Sequence, residues 1–192
     1  LQKFKAINNE YREAVATNVR LTKLLGLKKS LPPPTLTARI IGKDPSLWFK
    51  TVIIDRGSSD GVKQGMPVVT VEGIVGQIMS ASPHYAKVLL ASDPNSAIDV
   101  LVQNTRAQGI IKGNGTDYQL HYVLRNWKIT QGDAIVTSGL GGVFPKGLQV
   151  GTVTKVTESR RGMFQQIDIK PSVDFLQLEH LIIIMKENSL AD

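Results

Sequence analysis

The polarity pattern along the chain changes character once, near residue 31. Before that point Phe4, Ile7, Tyr11, Ala14, Asn18, Leu21 and Leu25 recur at gaps of three and four, the alternation that keeps one seam of a helix facing a partner helix. Neither glycine nor proline interrupts residues 1–25. The spacing predicts a coiled-coil helix over 1–30, with those seven residues as its dimerisation seam. If Phe4 is a core a position, Asn18 is another, and a buried amide there costs stability unless it meets its own copy across a parallel homodimer. The other reading of the same stripe is an amphipathic helix packed on its own domain. LPPPT at 31–35 then forms a stiff spacer that cannot continue a helix.

Beyond the prolines the period drops to two. Short β-branched runs bounded by Gly, Pro, Asn and Asp follow one another: TARII, TVIID, PVVTV, IVGQIM, KVLLA, DVLVQ, GIIKG, YQLHYVL, AIVTS, VGTVTKV, QQIDIK and HLIII. Connections of a few residues and no helical stripe between them predict a mainly β body of two small antiparallel barrel or sandwich domains. The expected division is 36–103 for the first and 104–186 for the second, with 187–192 as a tail. The last strand, about 178–186, is open to either module, because a return to complete the first is equally compatible with the pattern.

A weak internal repeat supports two modules. GVKQGMPVVT at 61–70 lies over KITQGDAIVT at 128–137, matching Gln64 with Gln131, Gly65 with Gly132, Val69 with Val136 and Thr70 with Thr137. Val75 and Gly76 then match Val150 and Gly151, which leaves eight extra residues in the second copy. Each copy reads as a turn whose glycine admits positive φ before an alternating strand. The extra residues fall in TSGLGGVFPKG at 137–147, read as a long hairpin carrying Leu140, Val143 and Phe144 at its tip as a candidate partner-binding loop.

Composition narrows the classes. The 192 residues are 42% hydrophobic, enough for one globular unit or two small ones. No cysteine is present, which removes disulfides and thiolate metal sites but leaves the compartment open. No apolar run approaches the roughly 20 residues that span a bilayer. The chain starts at Leu1, partway into the helical pattern, as expected of a fragment whose upstream part was removed. Of the net charge of +7, residues 1–30 hold +5, so the body carries only +2. A nucleic-acid groove interleaves basic and aromatic residues on a folded face, and the body has no such cluster. A basic nucleic-acid-binding β protein is therefore a rival reading and not the favoured one.

Candidate chemistry is mostly excluded by spacing. Gly142 and Gly147 are separated as in a phosphate loop, but Leu148 and Gln149 stand where Lys and Ser or Thr are needed. Gly139 and Gly141 lack the third glycine of a dinucleotide fingerprint, Phe144 standing in its place. DPNSAID places Asp93, Asn95 and Asp99 as in an EF-hand, without the glycine where Ile98 sits or the glutamate where Asn104 sits. Asp55 and Asp60 read as turn-forming carboxylates. The sharper rival is a periplasmic serine hydrolase on chymotrypsin-like barrels. Ser138 has Val136 and Leu140 where a nucleophile elbow needs glycines, and His84, His121 and His180 are scattered. No catalytic residue, cofactor or metal site is expected.

Three runs carry a family resemblance: DPSLWFKTVIIDRGSSDGVKQGMPVVTVEGIVGQI, AKVLLASDPNSAIDVLVQNTRAQGIIKGNG and QGDAIVTSGLGGVFPKGLQVGTV. In order and spacing, Pro45, Ser46, Trp48, Asp55, Gly57, Asp60, Gly61, Gly65, Met66, Pro67, Asp93, Asn95, Gly139, Leu140, Gly142, Phe144, Pro145, Lys146 and Gly147 resemble the extracytoplasmic part of the rod shape-determining MreC family, from Ala38 to Met185. The resemblance implies a periplasmic, non-enzymatic scaffold of the bacterial cell-elongation machinery. It would be anchored to the inner membrane by an upstream transmembrane helix, and dimeric or further assembled. It implies binding and activation of the elongation-specific class B penicillin-binding transpeptidase, alongside MreD, MreB, RodA and RodZ. Strand edges and loop tips, the hairpin around Phe144 among them, are the expected contacts.

Overall fold

The computed structural model describes residues 2–31, 34–44, 50–157 and 162–185. A 29-residue helix α1 (Gln2–Ser30) leads into twelve strands. In chain order these are β1 (Thr35–Lys43), β2 (Thr51–Ile54), β3 (Pro67–Thr70), β4 (Gly73–Ala81), β5 (Ala86–Leu90), β6 (Ala97–Val102), β7 (Gln108–Gly113), β8 (Tyr118–Leu124), β9 (Ala134–Thr137), β10 (Gln149–Thr157), β11 (Phe164–Pro171) and β12 (His180–Ile184). They close into two six-stranded antiparallel barrels, ordered β1-β12-β3-β4-β5-β2 and β10-β11-β8-β7-β6-β9. Closure has a functional consequence. A closed barrel pairs every strand on both sides, so none of the twelve described strands offers the free edge expected of a pairing template.

Two expected boundaries move. β6 precedes residue 103 yet pairs with β7 and β9, so it belongs to the second barrel and the division at 103/104 falls one strand late. β12 lies between β1 and β3, so the chain returns after the second barrel to complete the first. The spacer is also shorter than 31–35, because Thr35 already pairs with Ile184. The tail at 187–192, like Pro32 and Pro33, lies outside the described residues.

The packing explains why β12, β3 and β4 read as unbroken apolar runs. Leu181 and Ile183, Val68, and Val75 point into the first barrel. Their neighbours Ile182 and Ile184, Val69, and Ile74 join the second barrel's core, with Val100, Ile135 and Ile167. This wall of the first barrel is buried on both faces, which removes the polar positions that alternation would otherwise show. The barrels share one apolar interface. At its edge Gly73, with φ at 147°, has no room for a side chain: a Cβ would meet the carbonyl oxygen of Gln149 on β10 at 2.3 Å.

The repeat has a physical basis. Gly65 and Gly132, with φ of 86° and 95°, each precede the first strand of a paired strand couple, β3 with β4 and β9 with β10. A Cβ on either would meet nothing within 4 Å, so conformation alone selects glycine there. Gly76 and Gly151 answer a different need. Added Cβ atoms would lie 1.9 Å from Leu89 O on β5 and 2.4 Å from Lys170 O on β11.

Candidate interaction surfaces

The helix presents two faces. Arg20, Leu24, Leu27 and Leu31 follow gaps of four, three and four. Leu24 and Leu31 are buried in the common core, Leu27 packs against it, and Arg20 Nη1 donates to Glu179 Oε2 at 2.6 Å. Helical geometry sets this stripe about 130° around the axis from the heptad seam. On the seam Ile7, Tyr11, Leu21 and Leu25 are 63%, 69%, 42% and 55% exposed, and Ala14 and Asn18 are exposed too. The Phe4 side chain lies outside the described residues. The helix thus does pack on its own body, but through a second stripe that leaves the seam open.

The glycine-rich loop between β9 and β10 folds inward. Thr137 Oγ1 donates to Pro145 O at 2.6 Å and accepts from Leu148 N at 2.9 Å, while Gly147 N donates to Thr137 O at 2.9 Å. Gly139, Gly141, Gly142 and Gly147 all hold positive φ, which lets the segment coil over the barrel end. Phe144 is only 5% exposed within the core and Val143 packs against it. This corrects the expected contact: an aromatic ring beside a closed barrel mouth gains more from burial than from water, so Phe144 plugs the barrel. Leu140 alone remains outside, 54% exposed. Leu140→Ser should change stability by no more than about 0.5 kcal/mol in urea denaturation.

The residues weighed for catalysis are occupied locally. Ser138 Oγ accepts from Leu140 N at 3.1 Å, closing a small turn. Asp93, fully buried, accepts from Lys50 N, Asn95 N and Asn95 Nδ2 at 2.6, 2.7 and 2.9 Å. Asp60 Oδ2 accepts from Gly57 N at 3.0 Å, and Asp55 Oδ1 from Arg39 N at 2.7 Å. Among the described residues no three His, Cys, Asp or Glu side chains are grouped to hold a metal. Burial, aided by Lys112, lowers the pKa of His121. Desolvation likewise raises that of Tyr118.

Comparison with known proteins is specific. The model of the rod shape-determining protein MreC, barrel core, matches residues 40–185. This chain belongs to the MreC family. The cell shape-determining protein MreC of Listeria monocytogenes is 33% identical over 97% of the chain, which spans 65% of that relative's length. The crystal structure of MreC from Pseudomonas aeruginosa superposes with a TM-score of 0.76 at 32% identity, covering 79% of this chain and 99% of the other. A structure of a complex between Penicillin-Binding Protein (PBP2) and MreC from Helicobacter pylori shares the fold, with a TM-score of 0.62 at 16% identity over 80% of this chain and all of the other.

The MreC match takes in β12 and stops short of the helix, which fits a core defined by the two closed barrels. Of the signature residues, Pro45, Ser46 and Trp48 lie outside the described residues, while Gly57 sits where a Cβ would meet Ser82 O at 2.1 Å. One set of exposed residues escaped sequence reasoning. Tyr122, Leu124, Trp127, Met163 and Phe164 lie together around β8 and β11, between 39% and 70% exposed. A period-two reading of YQLHYVL puts Tyr118, Leu120 and Tyr122 on one buried face, so nothing local marked Tyr122 as an outward residue.

Proposed function

We propose that this chain is the periplasmic part of a non-enzymatic scaffold for the machinery that elongates rod-shaped bacteria. It pairs with a second copy through α1 and holds a penicillin-binding transpeptidase in an active arrangement. The observation that carries the reading is the continuous match of both barrels to the MreC barrel core. The Helicobacter pylori relative, solved in complex with PBP2, supports the choice of partner. Among the described residues no helix is long and apolar enough to cross a membrane. Anchoring to the inner membrane by a transmembrane helix is part of the same reading. MreD, MreB, RodA and RodZ enter as further members of the same assembly.

The exposed seam supports self-pairing. Five apolar or small positions at heptad spacing, with Asn18 among them, stay in water while a separate stripe anchors the helix, an arrangement that costs hydrophobic energy until a partner covers it. Leu21→Lys with Leu25→Lys leaves Leu24 and Leu31 in the core, so the barrels should stay folded. Sedimentation equilibrium should give a dimer mass for the parent chain and a monomer mass for this variant; equal masses would refute the seam. For the partner, the immobilised chain should retain the periplasmic domain of the transpeptidase from the same cell. Failure to retain it at micromolar concentrations would remove the scaffold reading.

A further inference from the structure

Packing does not explain Gly26. It lies inside α1 between Leu24 and Leu27, it is exposed, and a Cβ there would meet nothing within 4 Å. It is not among the glycines with positive φ, so the backbone does not call for glycine either. In a helix interior glycine is less stable than alanine, because it has more freedom to lose. This weak point falls where the free length of α1 meets the body. On its carboxyl side Leu27 packs against the common core, Leu31 is buried in it, and Ser30 Oγ donates to Leu27 O at 2.7 Å. β1 follows at Thr35, already paired with Ile184, so this end of the helix is fixed.

On the amino side the hold is slight. Residues 6–15 are all exposed, and among the described residues Leu24 is the only buried side chain before Gly26. Arg20 Nη1 meets Glu179 Oε2 at 2.6 Å, but the two side chains are 51% and 49% exposed. Ion pairs in that setting are weak and are screened by salt. Nor does the helix lie flat on the body. A cleft of about 470 Å³ separates Val19, Lys23 and Leu24 from Val71 and Glu72 of the β3–β4 turn and from Leu178 of the crossover to β12. That space leaves room for the helix to change its tilt without meeting the barrel.

We propose that α1 is a hinged arm. Gly26 is the pivot, Leu27 and Leu31 form the fixed base, and Leu24 with the Arg20–Glu179 pair is a catch that holds the arm against the first barrel. With the catch closed, α1 is the continuous helix Gln2–Ser30. With it released, the arm tilts at Gly26 while both barrels stay closed. A catch of one leucine and one screened ion pair keeps the two states close in free energy, so salt, or a partner that touches the arm, selects between them. The heptad seam rides on the arm. On the pairing proposed above, the tilt sets the angle between the two bodies of a pair, but the hinge itself does not depend on that reading.

The test is a distance measurement on the whole chain. Because the sequence has no cysteine, Asn9→Cys on the arm and Ser59→Cys on the first barrel place nitroxide labels at two exposed positions. Double electron–electron resonance, with the labelled chain diluted in excess unlabelled chain, reads the separation within one molecule. The parent should give one main distance and a minor second one. Arg20→Ala or Glu179→Gln should raise the minor population about two- to five-fold. Salt at about 1 M should do the same to the parent and leave those two variants unchanged. Leu24→Ala should raise it more than about ten-fold. Gly26→Ala should remove the second distance, reduce it in every catch variant and raise the melting temperature. A single distance that neither salt nor the Arg20 and Glu179 variants alter would overturn the hinge, and these half-exposed sites decide the matter even if Leu24→Ala unfolds. A second distance that persists undiminished in Gly26→Ala would overturn it too, since the pivot would lie elsewhere.

Discussion

Gly76→Ala and Gly151→Ala should each unfold one barrel, at a cost of more than about 4 kcal/mol. A methyl group 1.9 Å from Leu89 O, or 2.4 Å from Lys170 O, overlaps backbone atoms of the adjacent strand. Those atoms cannot give way without breaking ladder bonds between β4 and β5, or between β10 and β11. Gly76 adds a φ of 158°, which alanine rarely adopts. Gly65→Ala and Gly132→Ala are the internal controls. They meet no neighbour, so only the positive φ is penalised and each should cost about 1 kcal/mol. Circular dichroism melts of the four variants would separate the two classes. A mild Gly76 variant would show that the repeat marks turns alone and not the close approach of strands.

Asp93→Ala should lose about 2–3 kcal/mol, although Asp93 touches nothing that reacts. Its carboxylate is fully buried in the connection between barrels and accepts from Lys50 N at the mouth of β2 as well as from Asn95. Alanine leaves those three N–H groups without their acceptor and empties the buried site the carboxylate fills. The same connection is gripped from the other side by Gly113, where a Cβ would meet Ser92 O at 2.1 Å. Asp93→Asn keeps the shape but turns a donor toward one of the three N–H groups, and should fall between alanine and the parent. Hydrogen exchange should report the loss first at Lys50 and along β2. Unchanged protection there would mean the connection is not held by this carboxylate.

The twelve strands were legible because half-buried β structure writes itself as alternation, and each of the twelve runs overlaps a strand. The wall shared by the barrels was written too, in LIII and PVVT, whose missing polar positions signal burial on both faces. What alternation does not encode is which strand each one pairs with. Nothing in the composition of β6 or β12 says which barrel it joins, and their membership follows from long-range closure that no local window contains. Phe144 misled for a related reason. Glycines and a hydrophobic tip describe a loop equally well whether it projects or folds back, and only the barrel mouth beneath it decides. The bulge that β8 carries at Tyr122, opposite Gln166, was invisible, since one extra residue in a strand changes parity without changing composition.

Because the chain leaves the first barrel after β5 and returns only at β12, the first barrel is the last part of this protein able to finish folding. Residues 97–171 contain all six strands of the second barrel. As the chain emerges from its amino end, that unit can close while the earlier one still lacks a stave. The waiting strands β1 and β3 must stay unpaired along the sides that β12 will fill. Domains tend to form in the order of their synthesis, and this topology reverses that order.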